Sequence, residues 1–61
     1  MIFEVALTNL KKGEKLRRPD WGTGFIIMYR PGIVFITPKG LYQAWQPTQE
    51  DILAEDWQVV T

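Results

Sequence analysis

Three short stretches of strand-forming residues, separated by two tight turns, constrain the fold of this chain more than any other feature. The stretches are FIIMYR (residues 25–30), IVFIT (33–37) and LYQAW (41–45). Pro31-Gly32 separates the first two stretches, and Pro38-Lys39-Gly40 separates the last two. Pro-Gly pairs and Gly-containing turns interrupt regular structure. Short strands at this spacing therefore predict an antiparallel meander.

A helix is predicted ahead of the meander. Apolar residues recur with the spacing i, i+3, i+4 and i+7 at Phe3, Ala6, Leu7 and Leu10. That spacing places them on one face of a helix. Lys11 and Lys12 suit the C-terminal end of the helix dipole, and Gly13 suits the left-handed position that follows it. We expect this helix over residues 2–12, without a side-chain cap at its start.

A second, shorter helix is predicted over residues 48–55. Thr48 is a good N-cap residue, and Asp51 stands at the position of a capping-box acid. Ile52 and Leu53 are expected to face inward. The following WQVV segment (57–60) is β-prone, and we expect it to form a last strand with Trp57 in the core.

The fold class predicted from these elements is α+β. It consists of a small antiparallel sheet, made of the meander and a C-terminal strand, with an N-terminal helix and a short C-terminal helix. The 61 residues form one predicted domain, 1–61. A chain of this size hides only about 60% of its unfolded surface. It contains neither Cys nor His, so disulfides and Cys/His zinc sites are excluded, and homo-oligomerisation is the remaining means of stabilisation.

Charge is balanced overall but divided along the chain. Residues 1–40 contain all seven Lys and Arg against three acids, a balance of +4, whereas residues 41–61 contain four acids and no base, −4. A duplex-binding domain usually carries a basic surplus, so no duplex nucleic-acid partner is expected. The chain has no signal-peptide pattern, and its longest apolar run cannot span a bilayer. We expect a cytoplasmic protein without a membrane partner.

The residue inventory argues against an enzyme. The absence of Ser, His and Cys removes the usual nucleophile–base arrangements. Asp51 and Glu55 share a helix face and could in principle act as acid and base or hold a cation. Acids on a short terminal helix more often form a solvated face, so no catalytic residue, metal or cofactor is predicted.

The residues needed for a binding site occur together in the segment LRRPDWGTG (16–24). Arg18 can grip phosphate oxygens, with Arg17 in reserve because neighbours in an extended segment point to opposite faces. Trp21 can stack on a base, and Gly22 and Gly24 let the backbone approach a ligand. The alternative is a simple turn in which Trp21 packs inward and one arginine faces water.

Motifs at both ends of the chain resemble one family. The opening matches F-x-x-A-L-x-x-L-K-x-G through Phe3 to Gly13, and a W-x-G-x-G type segment follows in contracted form at Trp21. The closing block W-x-P-[S/T]-x-x-D-[I/L/M]-x-A-x-D-W is matched from Trp45 to Trp57. The chain thus resembles the phage and prophage family of small anti-defence sponges of the Thoeris anti-defence type.

The resemblance implies a protein that binds and sequesters a cyclic nucleotide immune signal without turnover. A cyclic ADP-ribose isomer or a cyclic oligonucleotide is the implied ligand, and a homo-oligomer, dimer or tetramer, is the implied assembly. In such a sponge Asp51 could accept from a ribose hydroxyl or a base amine across a subunit boundary, but the main role expected for Asp51 is to cap its own helix. Longer members carry an extra central segment that residues 30–32 replace here. The alternative function is a non-catalytic phage structural or interaction module that only oligomerises.

Overall fold

The predicted α+β fold is confirmed in a computed structural model that describes residues 1–61. Two helices, five strands and one 3₁₀ turn follow each other along the chain. Their bounds are α1 Phe3–Lys11, β1 Lys15–Arg17, the 3₁₀ turn Pro19–Trp21, β2 Phe25–Tyr29, β3 Gly32–Ile36, β4 Tyr42–Ala44, α2 Gln49–Leu53 and β5 Gln58–Val60. Each predicted element is present, although most are shorter than predicted.

The five strands form one antiparallel sheet in the order β4-β3-β2-β1-β5. Strands β2, β3 and β4 are the predicted meander. The C-terminal strand β5 forms the edge of the sheet opposite β4. It pairs with β1, and Leu16 lies opposite Val59. The two ends of the chain are therefore adjacent, and the Met1 carbonyl accepts a hydrogen bond from the Trp57 amide at 3.1 Å.

Helix α1 packs across one face of this sheet. Ala6 and Leu10 are fully buried against Leu16, Ile26 and Trp57, and these five residues form the core. The helix begins without a side-chain cap at Ile2, as the sequence predicts. Its last residue is Lys11, and Gly13 follows the C-cap residue Lys12 with a φ of +91°, in the left-handed region that glycine adopts at least cost.

Helix α2 has the predicted capping box. The Thr48 hydroxyl accepts from the Asp51 amide, and the Asp51 carboxylate accepts from the Thr48 amide. The prediction that Ile52 and Leu53 face inward is wrong, because their exposed fractions are 45% and 77%. Asp51 is the buried residue of this five-residue helix. Its side chain is held toward the protein, so the two residues that follow point toward solvent.

The second face of the sheet carries apolar residues that no helix covers. Strand alternation places Ile26 and Phe35 on the face toward α1, and their sequence neighbours on the other face. We call this second surface the open sheet face. Its large apolar members, none of which belongs to the core cluster, are Phe25, Ile27, Tyr29, Val34, Ile36, Tyr42 and Val60.

Neither helix has the length and apolar character required to traverse a lipid bilayer.

Candidate functional site

The segment from Arg17 to Gly24 leaves the end of β1, makes one 3₁₀ turn and enters β2. Pro19 occupies the first position of the turn, where its fixed φ is favourable and its missing N–H costs nothing. Gly22 follows with φ +64°, and a Cβ at that position would meet no other atom. Its need for glycine is therefore conformational. Arg17 closes the loop, because its Nη1 donates to the Gly22 carbonyl.

Arg18 is the centre of an ion-pair cluster that joins this turn to the C-terminal third of the chain. Its Nε donates to Asp56 at 3.1 Å, and its Nη1 donates to Asp51 at 3.1 Å and to Glu50 at 3.4 Å. The Arg18 side chain is only 12% exposed. The opposite charges of the two halves of the sequence therefore meet within one chain, at this residue.

The three carboxylates change what Arg18 can bind. The hydrogen bonds that Arg18 donates to the carboxylates of Asp56 and Asp51 raise the pKa of the guanidinium above its ordinary value. One cation among three acids gives the cluster a formal charge of −2, so a bare phosphate would be repelled. The two N–H groups of Nη2 make no hydrogen bond within the protein. The cluster is therefore suited to polar, uncharged groups such as hydroxyls, amines and carbonyls.

Trp21 lies in a cluster of aromatic rings on the core side of the sheet. Its ring stands edge-on to Trp57, Phe35 and Trp45, with ring centroids 5.2, 5.3 and 6.4 Å away. Edge-to-face rings at such distances attract each other. Trp21 is half-buried, so it is both a packing residue and a partly accessible ring.

Gly24 is buried, and the group that approaches it is a side chain of the protein. A Cβ at Gly24 would lie 2.8 Å from the Cζ atom of Phe35. The glycine thus lets the Phe35 ring lie over the start of β2 and edge-on to Trp21. The group that lies close to the Gly24 backbone is therefore the Phe35 ring.

Asp51 takes part in three contacts, of which only the ion pair with Arg18 joins distant parts of the chain. Its carboxylate caps α2 through Thr48 and pairs with Arg18, and its backbone carbonyl accepts from the indole nitrogen of Trp57 at 3.0 Å. The structure therefore brings Arg18 and Asp51 into contact. Trp21 is linked to Asp51 indirectly, because its ring contacts Trp57, which donates a hydrogen bond to Asp51. Sequence reasoning missed Asp56 and Glu50 as partners of Arg18, although the acidic surplus of residues 41–61 pointed to some basic partner.

A family model for the Thoeris anti-defense 2-like (Tad2-like) domain matches residues 1–60 of the 61-residue chain. The chain belongs to the Thoeris anti-defense 2-like family. Membership confirms the resemblance found in the terminal motifs, and it supports an anti-defence role directed at the Thoeris system. No curated protein matches the chain.

The motifs of the Thoeris anti-defense 2-like domain coincide with structural contacts in this chain. The closing block from Trp45 to Trp57 contains the capping box, two core-side tryptophans and all three acids that bind Arg18. No group of three or more His, Cys, Asp or Glu residues is arranged to hold a metal ion. The carboxylates around Arg18 instead converge on a protein cation.

Proposed function

We propose that this protein is a sponge that binds a cyclic nucleotide immune signal in the host cytoplasm and withholds it from its effector. The signal is a cyclic ADP-ribose isomer or a cyclic oligonucleotide. The match to the Thoeris anti-defense 2-like domain over residues 1–60 carries this proposal. Sequestration requires tight binding and no reacting group, which fits a chain without Ser, His or Cys.

The Arg17–Gly24 turn and Asp51 form the ligand contact in this proposal. Trp21 supplies a partly exposed ring for a base, and the free Nη2 donors of Arg18 supply hydrogen bonds to a carbonyl or a sugar oxygen. Asp51 accepts from a ribose hydroxyl or a base amine. Gly22 is the open glycine of the turn, since nothing lies within 4 Å of its Cβ position. Arg17 and Gly24 support the turn through Gly22 and Phe35.

A homo-oligomer is part of the proposal, and two exposed apolar surfaces support it. One is the open sheet face. The other, which we call the helix patch, lies on the opposite side of the molecule, where Ile2, Val5, Ile52 and Leu53 in and beside α1 and α2 are between 45% and 77% exposed. A five-stranded face with about 4.8 Å between strands is roughly 20 Å wide. Such a face can supply much of the surface that a stable dimer buries.

Two distinct self-complementary surfaces are what a tetramer with three two-fold axes requires. Sheet faces pack against each other about 10 Å apart, and the helix patches would then join two such dimers. The chain has no net charge, so long-range repulsion between copies is absent. We therefore propose a dimer built on the open sheet face, which a second contact through the helix patch extends to a tetramer.

The proposed function is tested by binding and recovery of intact ligand. Cyclic ADP-ribose isomers and cyclic di- and trinucleotides are titrated calorimetrically into the protein, with linear ADP-ribose as the matched control. A ligand at 100 times its Kd raises stability by about 2.7 kcal/mol, so a thermal shift provides a second readout. The complex is then denatured and the released ligand is examined by mass spectrometry.

A sponge binds at least one cyclic species more tightly than the linear control and releases it unchanged. Release of a cleaved product would show turnover and would overturn the proposal of a non-catalytic role. Absence of binding to every member of the panel would favour the alternative, a module that only oligomerises. Arg18→Gln and Trp21→Ala proteins that are folded and bind as well as the unaltered protein would remove the Arg17–Gly24 turn from the site.

A further inference from the structure

Residues at the end of β2 lead from the core to an open cleft. Alternate residues of a strand share a face, so Ile26 and Met28 lie on the side of the sheet that faces α1, and Arg30, the first residue after β2, lines the cleft with Met28. Ile26 is fully buried, Met28 is half-buried and Arg30 is exposed. Arg30 therefore reaches beyond the core at the C-terminal end of α1, where the last helical residue is Lys11.

These elements enclose a cleft of about 490 Å³ between the end of α1 and the turn that joins β2 to β3. Its lining residues are Lys11, Met28, Arg30 and Pro31. The volume lies within the range of about 300–1,000 Å³ that small-molecule sites occupy. Two of the four lining residues are cations and none is an acid, so the cleft has a positive lining beside the apolar surface of Met28 and Pro31.

The two cations of the cleft are not neutralised by the protein. Every salt bridge in the structure involves Arg18. Arg17 donates to a backbone carbonyl, and Lys15 lies over the ring of Phe25. Lys11 and Arg30 have no side-chain hydrogen bond and no ion pair. They thus retain their full capacity to bind an anion.

The nearby helix end opposes an anion only weakly. The C-terminus of a helix carries about −0.5 of an elementary charge, against two full positive charges from the cleft. Two of the last carbonyls of α1 are also occupied, because Lys12 and Glu14 donate to the Asn9 carbonyl and Gly13 donates to the Leu10 carbonyl. The electrostatic balance at the cleft therefore remains positive.

We propose that this cleft binds the phosphate group of a small nucleotide ligand. Arg30 would hold two phosphate oxygens with its planar fork, and Lys11 would supply a compact second charge. Met28 and Pro31 would contact the adjacent sugar or base. If the ligand is the cyclic signal, this site rests on the proposed function. It would then supply the cationic contact to phosphate that the Arg18 cluster, with its net negative charge, does not provide.

The test uses pyrophosphate and cyclic di-AMP as probes, in nitrogen–proton correlation spectra of the labelled protein. Three proteins are compared: the unaltered chain, the double variant Lys11→Gln/Arg30→Gln, and Lys39→Gln. Lys39 is the matched control, since it is also exposed and unpaired but does not line the cleft. All three must melt alike, as expected for substitutions of exposed residues.

Pyrophosphate should shift the amide signals around Lys11 and Arg30. The double variant should bind it at least about tenfold more weakly, in line with the loss of charge-assisted hydrogen bonds, while Lys39→Gln binds as before. If Lys39→Gln weakened pyrophosphate binding as much as the double variant, or if the amide shifts were spread evenly over all lysines, the site would be overturned. Non-specific attraction between pyrophosphate and the lysines would then explain the binding.

Failure of the cleft and failure of the sponge give different results. If pyrophosphate binds at the cleft and no cyclic nucleotide binds anywhere, the phosphate site is supported and the sponge proposal fails. If cyclic di-AMP or another cyclic nucleotide binds the double variant as tightly as the unaltered chain, the sponge proposal stands and the cleft is overturned as its phosphate site.

Discussion

The indole nitrogen of Trp57 donates a hydrogen bond to the backbone carbonyl of Asp51, and the two atoms lie 3.0 Å apart. Trp57 is 2% exposed and contacts the rings of Trp21 and Phe3. Through this one bond, the largest side chain of the core fixes the end of α2, and with it the carboxylate that faces Arg18.

Replacement of Trp57 by alanine should unfold most of the protein at room temperature. Truncation of a buried aromatic residue costs about 3–5 kcal/mol, which equals the whole stability that a single small core usually supplies. Trp57→Phe keeps a ring and loses the hydrogen bond, which contributes about 0.5–1.5 kcal/mol, so it should fold with reduced stability. Urea unfolding should rank the unaltered chain as the most stable, Trp57→Phe as intermediate and Trp57→Ala as the least stable. A Trp57→Ala protein that unfolds at the same urea concentration as the unaltered chain would contradict the assignment.

Removal of the Arg18 charge should make stability depend on pH. In the unaltered chain the carboxylates of Asp56 and Asp51 raise the pKa of Arg18, so the guanidinium stays charged and does not lose its contribution to stability by its own titration until strongly alkaline pH. In Arg18→Gln, three carboxylates remain close together without a cation, and they repel one another wherever they are ionised. The melting temperature of the variant should therefore fall relative to the unaltered chain as the pH rises from about 4 to 6.

Arg17→Gln is the matched control for that measurement. Arg17 donates only to the Gly22 carbonyl, so the difference between this variant and the unaltered chain should be constant over the same pH range. Added salt should reduce the deficit of Arg18→Gln, because salt screens partly exposed charges. A pH-independent deficit for Arg18→Gln would argue that the residue acts through packing alone.

Substitution of Gly24 by alanine should destabilise the protein through the ring of Phe35. The added Cβ would lie 2.8 Å from Phe35 Cζ, and overpacking of this kind costs about 1–3 kcal/mol. Gly32→Ala is the control, since no atom lies within 4 Å of a Cβ there. The double variant Gly24→Ala/Phe35→Leu should cost less than the sum of its two single changes, because the smaller side chain leaves room. Strict additivity would show that the two positions do not touch.

A charge placed on the open sheet face should reduce the number of chains in the assembly. Ile27→Lys introduces an ammonium group into the centre of that face, where desolvation would oppose contact with a second copy. Light scattering after size exclusion should show multiples of 7.1 kDa for the unaltered chain and a smaller assembly for the variant. Leu53→Lys, on the helix patch, should leave a dimer if the proposed tetramer forms. An unaltered chain of 7.1 kDa at all concentrations would overturn the proposed oligomer.

Local chemistry made much of this fold predictable. The capping box of Thr48 and Asp51, the left-handed Gly13 and the turn between β2 and β3 depend on residues within a few positions of one another. That turn lies at residues 30–31, one position before the predicted 31–32, because Gly32 pairs with Tyr29 as the first residue of β3. Hydrophobic spacing likewise identified the buried face of α1 at Ala6 and Leu10. Such features are set by backbone sterics and short-range hydrogen bonds, which the sequence displays directly.

The tertiary structure alone decided which distant groups meet. Arg18 is separated by 33 residues from Asp51 and by 38 from Asp56, and no local rule selects those partners over a phosphate. The same long-range pairing turned Asp51 inward and left Ile52 and Leu53 exposed, against the expectation from their apolar character. The tertiary structure also places Lys11, at the end of α1, beside Arg30, which follows the end of β2. Periodicity determines which residues of an element share a face, whereas the order of strands in the sheet determines what that face meets.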